Sequence, residues 1–133
     1  YGQELKRKYS GVGNIQLIDP VYDLDVLYVL RNNCRFYIHG HSAGGTNPSL
    51  VEAMFFNCPI LAYDVIYNRE TTENKAFYFR DAEQLIALLR NDNALLLEKS
   101  ARDMSEIANR RYLWEVVSRQ YLEQFDLVSV KAD

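Results

Sequence analysis

Short apolar runs alternate with helical patterns along the whole chain. Runs rich in Ile, Val, Leu, Phe and Tyr at 14–19 (NIQLID), 35–40 (RFYIHG), 59–64 (PILAYD) and 76–79 (AFYF) predict buried strands. Between them the apolar period lengthens to that of a helix. The segment 3–9 is amphipathic, and 23–32 sets Leu24, Val26, Leu27 and Leu30 on one face. A helix over 48–56 has Asn47 as its N-cap and Pro48 at its first position. Another over 81–91 opens on an acidic residue and closes on Arg90, in keeping with the helix dipole. Two more fill 94–110 and 112–127. The segment 63–74 (YDVIYNRETTEN) reads as a loop at the sheet edge. Strands alternating with helices predict an α/β domain over 1–133, with a Rossmann-like parallel sheet and helices on both faces.

Bulk properties narrow the function classes without choosing one. A chain of 133 residues is one domain at most, and 48% hydrophobic with 25% charged residues is ordinary for a soluble globular protein. A net charge of -3 supplies no basic stripe, so no nucleic-acid partner is expected. No apolar run approaches the roughly 20 residues of a membrane-spanning helix. The opening YGQELKRKYS is polar and helical in pattern, unlike a signal peptide. Cys34 and Cys58 are too far apart in sequence for a metal pair and form no secreted-type framework. They read as buried small residues in a reducing, cytoplasmic setting. The chain opens on Tyr1, without Met and straight into a helical pattern, as a piece of something longer would.

The chemistry concentrates in 37–54, YIHGHSAGGTNPSLVEAM. Gly40-His41-Ser42-Ala43-Gly44 spells G-x-S-x-G, the nucleophile elbow of serine esterases. On that scaffold the base histidine follows the serine, whereas both histidines here, His39 and His41, precede Ser42. An elbow also needs its helix to start at once, yet Asn47-Pro48 delays the start by several residues. The pentapeptide is read as a coincidence. The same stretch also reads as a phosphate loop. Amides of Gly44, Gly45 and Thr46 are unobstructed by side chains, and the helix from Pro48 would add unpaired N–H groups and a positive dipole end. Glu52, one turn into that helix, is placed to accept hydrogen bonds from sugar hydroxyls. The loop falls at the carboxyl end of a predicted strand, where ligands of such sheets bind.

GGTNPSLVEAM resembles the signature of the group-one family of retaining glycosyltransferases with the GT-B fold, typically E-G-F-G-L-P-x-L-E-A-M. NCPILAYD matches that family's small-residue-x-Pro-Val-Ile-Ala strand, and RYLWEVVSRQYLEQF is similar to its C-terminal Tyr-x-Trp-x-x-Val/Ile helix. The segment GVGNIQLIDPVYDLDVLYVLRNNCRFYIHG fits the strand, helix and strand that precede the signature, so nearly the whole chain is covered. The version His-Gly-His-Ser-x-Gly-Gly-Thr-Asn-Pro is most similar to a bacterial polysaccharide subgroup that includes rhamnosyltransferases. The resemblance implies the C-terminal, donor-binding half of a GT-B fold, incomplete at its N-terminus and lacking its first two strands. It implies a nucleotide diphosphate sugar as donor and a glycan or lipid-linked acceptor, the latter met through an N-terminal domain. No metal and no further cofactor are implied, and the location would be cytoplasmic, at the inner membrane face.

Carried over residue by residue, Glu52 falls on the glutamate that binds the ribose hydroxyls. Gly45 falls on the glycine whose backbone faces the diphosphate, with Thr46 and Asn47 beside it. Gly44 stands where most members carry a first glutamate that contacts the transferred sugar, and His41 or Ser42 is the polar group at hand to replace it. That departure favours the competing reading, a binding or assembly module that keeps the fold without transfer. His39 at a strand end reads equally as structural or functional. Tyr22, Trp114 and Tyr121 read as packing residues, and Asn68, Arg69 and Glu70 as solvated loop positions. In the family's strand order the two missing strands would lie between 14–19 and 35–40, leaving apolar edges that a second copy would pair with.

Overall fold

The computed structural model describes residues 1–129 and divides into two compact units, Tyr1–Leu30 and Arg31 onward. In the first, helix α1 (Gly2–Tyr9) ends in turns closed by Val12 N–H to the Tyr9 carbonyl and Ile15 N–H to the Val12 carbonyl, both 3.0 Å. Lys6 pairs with Asp19. The strand expected at 14–19 does not form, and Ile15, Leu17 and Ile18 are exposed. An apolar run becomes a strand only where a neighbour takes its amides and carbonyls, and no ladder reaches this segment among the described residues. Helix α2 (Leu24–Asn32) forms as expected, with Asp23 Oδ1 accepting from the amides of Asp25 and Val26. Its predicted apolar face is largely open, however, since Leu24, Val26 and Leu30 are exposed and only Leu27 is half-buried. Tyr22 is likewise exposed rather than packed.

The second unit holds a three-stranded parallel sheet in the order β1 (Tyr37–His39), β2 (Ile60–Tyr63), β3 (Phe77–Phe79). The strands fall inside the runs predicted at 35–40, 59–64 and 76–79. Register pairs Tyr37 with Ile60, and His39 with Ala62 and then Tyr78. Because side chains alternate, these five share one face of the sheet. That face packs against α3 (Pro48–Met54) and α6 (Ala94–Arg111) in a core of Leu50, Ala53, Met54, Ile60, Ala62, Met104, Ile107 and Ala108.

Helix α4 (Ile66–Thr71) occupies the segment expected to be a loop. IYNRET has no helical apolar period, so pattern gave no signal. Its polar groups are instead satisfied by the fold: Thr71 and Thr72 hydroxyls donate to the Tyr67 and Asn68 carbonyls at 2.7 Å, and the Tyr112 hydroxyl donates to the Thr71 carbonyl at 3.0 Å. Helix α5 (Ala82–Leu89) is capped by Asp81, α6 by Asn93, and α7 (Trp114–Ser129) follows Tyr112. Trp114 and Tyr121 are exposed, contrary to their expected packing. The architecture is therefore mixed α/β, an open parallel sheet flanked by helices, consistent with a Rossmann-like fold. Among the described residues no helix is long and apolar enough to cross a membrane.

Candidate functional site

The segment 40–47 leaves the carboxyl end of β1 and leads into α3. Gly44 has φ +86°, a backbone state that residues with a Cβ adopt at a cost of roughly 1–2 kcal/mol. Space is not the obstacle, because an added Cβ would stand 4.0 Å from His41 Nε2, an ordinary contact. The loop conformation itself selects glycine at the position where the resemblance places a glutamate. Gly45 carries no such constraint, and an added Cβ there meets nothing within 4 Å.

The N-terminus of α3 differs from expectation. Pro48 has no N–H, Asn47 Oδ1 accepts from the Ser49 amide at 2.9 Å, and the Asn47 carbonyl accepts from Leu50 and Val51 at 3.0 and 3.1 Å. Asn47 thus caps the helix, and the unpaired α3 amides expected to face an anion are taken. The amides of Gly44, Gly45 and Thr46 are different, since no backbone hydrogen bond occupies them among the described residues. Any anion held here would rest on the loop.

Thr46 and Glu52 come together. Both line an open cleft of about 580 Å³ whose apolar side is formed by Val51, Phe55, Tyr112 and Trp114. The Glu52 carboxylate is half-exposed, and its Oε2 pairs with Arg31 Nη1 at 2.7 Å. Arg31 also lies 5.9 Å from the Phe56 ring centroid. The pair fixes the direction of one carboxylate oxygen, a role the sequence did not indicate for Arg31. His41, Ser42, Gly44 and Gly45 are exposed on the loop but do not line this cleft. No hydrogen bond joins Ser42 to a histidine among the described residues, and α3 starts only at Pro48, so the elbow geometry is missing.

His39 is buried on the core-facing side of β1, between the rings of Tyr37 (6.2 Å) and His41 (6.0 Å). Its Nε2 has no hydrogen-bond partner. Burial, followed by the neighbouring His41, lowers its pKa from the ordinary value, so the folded state holds the neutral ring. The unfolded chain binds that proton more readily, so stability should fall as pH drops through the unfolded value of about 6.5 and level off below the folded one. Urea midpoints for the native chain should be lower at pH 5.5 than at 7.5, and His39→Gln should flatten that difference. Equal slopes in the two proteins would refute the assignment. A second decline at lower pH is expected from Asp64. Hydrogen bonds from Arg69 (2.5 Å) and Arg80 (2.8 Å) hold its carboxyl down at about 2, so its contribution is lost as pH falls from the ordinary carboxylate range toward that value.

Arg69 is consequently no solvated loop charge. It lies on α4, engaged by Asp64 and placed 4.1 Å from the Tyr78 ring centroid. Asn68, also expected in a solvated loop, is buried. Its Nδ2 donates to the His41 carbonyl at 3.0 Å and to the Tyr63 carbonyl at 2.8 Å. It anchors the glycine loop to the end of β2. No local pattern marks such a residue; its position just beyond a predicted strand end is the one available hint.

Among the described residues no three His, Cys, Asp or Glu side chains converge as a metal site would need. Fold and site together define an α/β domain with an exposed glycine loop at a strand's carboxyl end. Neither a protein-family model nor a curated protein matches the chain.

Proposed function

We propose that this chain is part of the donor-binding domain of a GT-B glycosyltransferase. The full protein would transfer a sugar from a nucleotide diphosphate sugar to a glycan or lipid-linked acceptor in cell-surface polysaccharide synthesis, on the cytoplasmic side of the membrane. One observation carries the proposal: a glycine loop with three unoccupied amides ends on Thr46, in the same cleft as Glu52. The amides of Gly44, Gly45 and Thr46 suit a diphosphate, whose charge grows as the sugar departs, and fixed donors aimed at that charge lower the barrier. Glu52 Oε1 suits the ribose hydroxyls while Arg31 holds Oε2. His41 and Ser42 are the polar groups beside Gly44 for the sugar. The open β1 edge offers pairing with a second copy as part of the same proposal.

Calorimetric titration of the full protein against a panel of nucleoside diphosphates and their sugars tests this. One diphosphate should bind, and Glu52→Ala should weaken it by roughly 10–100-fold, the loss of a charge-assisted hydrogen bond. Gly45→Asp, which sets a carboxylate against the phosphates, should weaken it at least as much. Binding unchanged by both substitutions would overturn the donor site. The second reading, a binding module without transfer, is favoured by the glycine-only backbone at Gly44. It predicts the same affinities with no release of diphosphate from the bound donor sugar.

A further inference from the structure

Two thiols that are distant in sequence meet at the opposite end of the sheet from the glycine loop. Cys34 precedes β1 and Cys58 precedes β2, and their Sγ atoms lie 3.3 Å apart. Adjacent parallel strands bring their starting ends together, which is why 24 residues of separation close to a contact. Both sulfurs are free thiols. Cys34 Sγ reaches the Arg31 carbonyl at 3.1 Å and is half-buried, whereas Cys58 is buried. Arg35, Asn57 and Pro59, the chain neighbours of the two cysteines, line a surface cleft of about 440 Å³ beside the pair.

We propose that Cys34 and Cys58 form a dithiol site that closes to an intramolecular disulfide by exchange with a low-molecular-weight disulfide of the glutathione class. The Cys34 thiolate attacks one sulfur of the oxidant, forming a mixed disulfide and releasing one thiolate. The Cys58 thiolate then attacks the Cys34 sulfur, forming the internal S–S bond and expelling the second thiolate. Two cysteine thiols are oxidised and one external disulfide is reduced, the two cysteine protons passing through solvent to the two released thiolates to give two thiols. The order follows from access. Burial, then the hydrogen bond with Cys34, pushes the Cys58 thiol up to about 12, so the half-buried Cys34 reacts first and Cys58 resolves. Closing the bond encircles 34–58, which contains β1, the glycine loop and α3.

The native chain, incubated with glutathione disulfide and then alkylated under denaturing conditions, should show by mass spectrometry the loss of two hydrogens, no alkyl groups and no bound glutathione. Tryptic mapping should join the Cys34 and Cys58 peptides. Closure should quicken as pH rises toward the resolving thiol's range, and the oxidised chain should melt roughly 10 °C higher. Cys58→Ser should stop at a stable mixed disulfide on Cys34, and Cys34→Ser should leave Cys58 reduced. Glutathione persisting on Cys34 of the native chain, or bonds forming only between chains, would overturn the proposal. The native-chain result stands even where a variant folds poorly.

Discussion

Replacing Asn68 with leucine is expected to destabilise the second unit by about 1–3 kcal/mol and to loosen the loop that starts at His41. The side chain is buried and donates twice, to the carbonyls of His41 and Tyr63. Leucine matches its volume but leaves the His41 carbonyl without a donor, while the Tyr63 carbonyl keeps only the Val65 amide at 2.9 Å, and an unmet acceptor away from water costs about 1–3 kcal/mol. Asn68→Asp should be worse, since a carboxylate would face two carbonyl oxygens. Asn109→Ala is the matched control, because that amide bonds only within its own exposed helical turn, to Ser105. Urea unfolding should show the midpoint falling with the slope unchanged for Asn68→Leu, and a change under about 0.5 kcal/mol for the control. Amide exchange over 40–46 should accelerate in the same variant. A variant as stable as the native chain would mean the loop holds its shape without this anchor.

Asn68 also marks the boundary of what the sequence made legible. Elements with local causes were readable. Asn47-Pro48 announced α3 because capping chemistry lies within three residues, and the acidic start and basic end of 81–91 announced α5 through the helix dipole. The three strands were readable because short runs rich in Ile, Leu, Phe and Tyr mark strands from the local sequence alone. Features that depend on a distant partner were not. The run 14–19 has a strand's composition without a strand's neighbour. Helix α4 has neither pattern nor propensity and stands on bonds to β2, α6 and the loop. Half of the proposed site divides the same way: Glu52 and the glycines were visible as motif positions, but Arg31 fixing Glu52, and Asn47 occupying the α3 amides, required the fold. The meeting of Cys34 with Cys58 had a signal that went unused, since each stands just ahead of a predicted strand.

A loss of about 3 kcal/mol is expected from Leu50→Ala, with the melting temperature falling by roughly 10 °C. Helix α3 has seven residues, too few to be helical in water on its own. What holds it is one face: Leu50, Ala53 and Met54 are at most 2% exposed and pack with Ile60, Met104 and Ile107. Truncating Leu50 removes the face's first anchor, three residues past the Asn47 cap, and leaves a cavity that close-packed neighbours fill only in part. The consequence should reach the loop as well as the core. Gly44 holds its positive φ only while both ends of the loop are fixed, one by Asn68 and the other by α3 through Leu50. Leu50→Ala should therefore raise amide exchange over 44–47 at temperatures where the sheet remains protected. Phe55→Ala, at the exposed end of the same helix, should cost far less and leave loop exchange unchanged. If Leu50→Ala lowers stability but exchange over 44–47 stays at the native rate, the loop is anchored by Asn68 alone, and the core reports on the fold without reporting on the site.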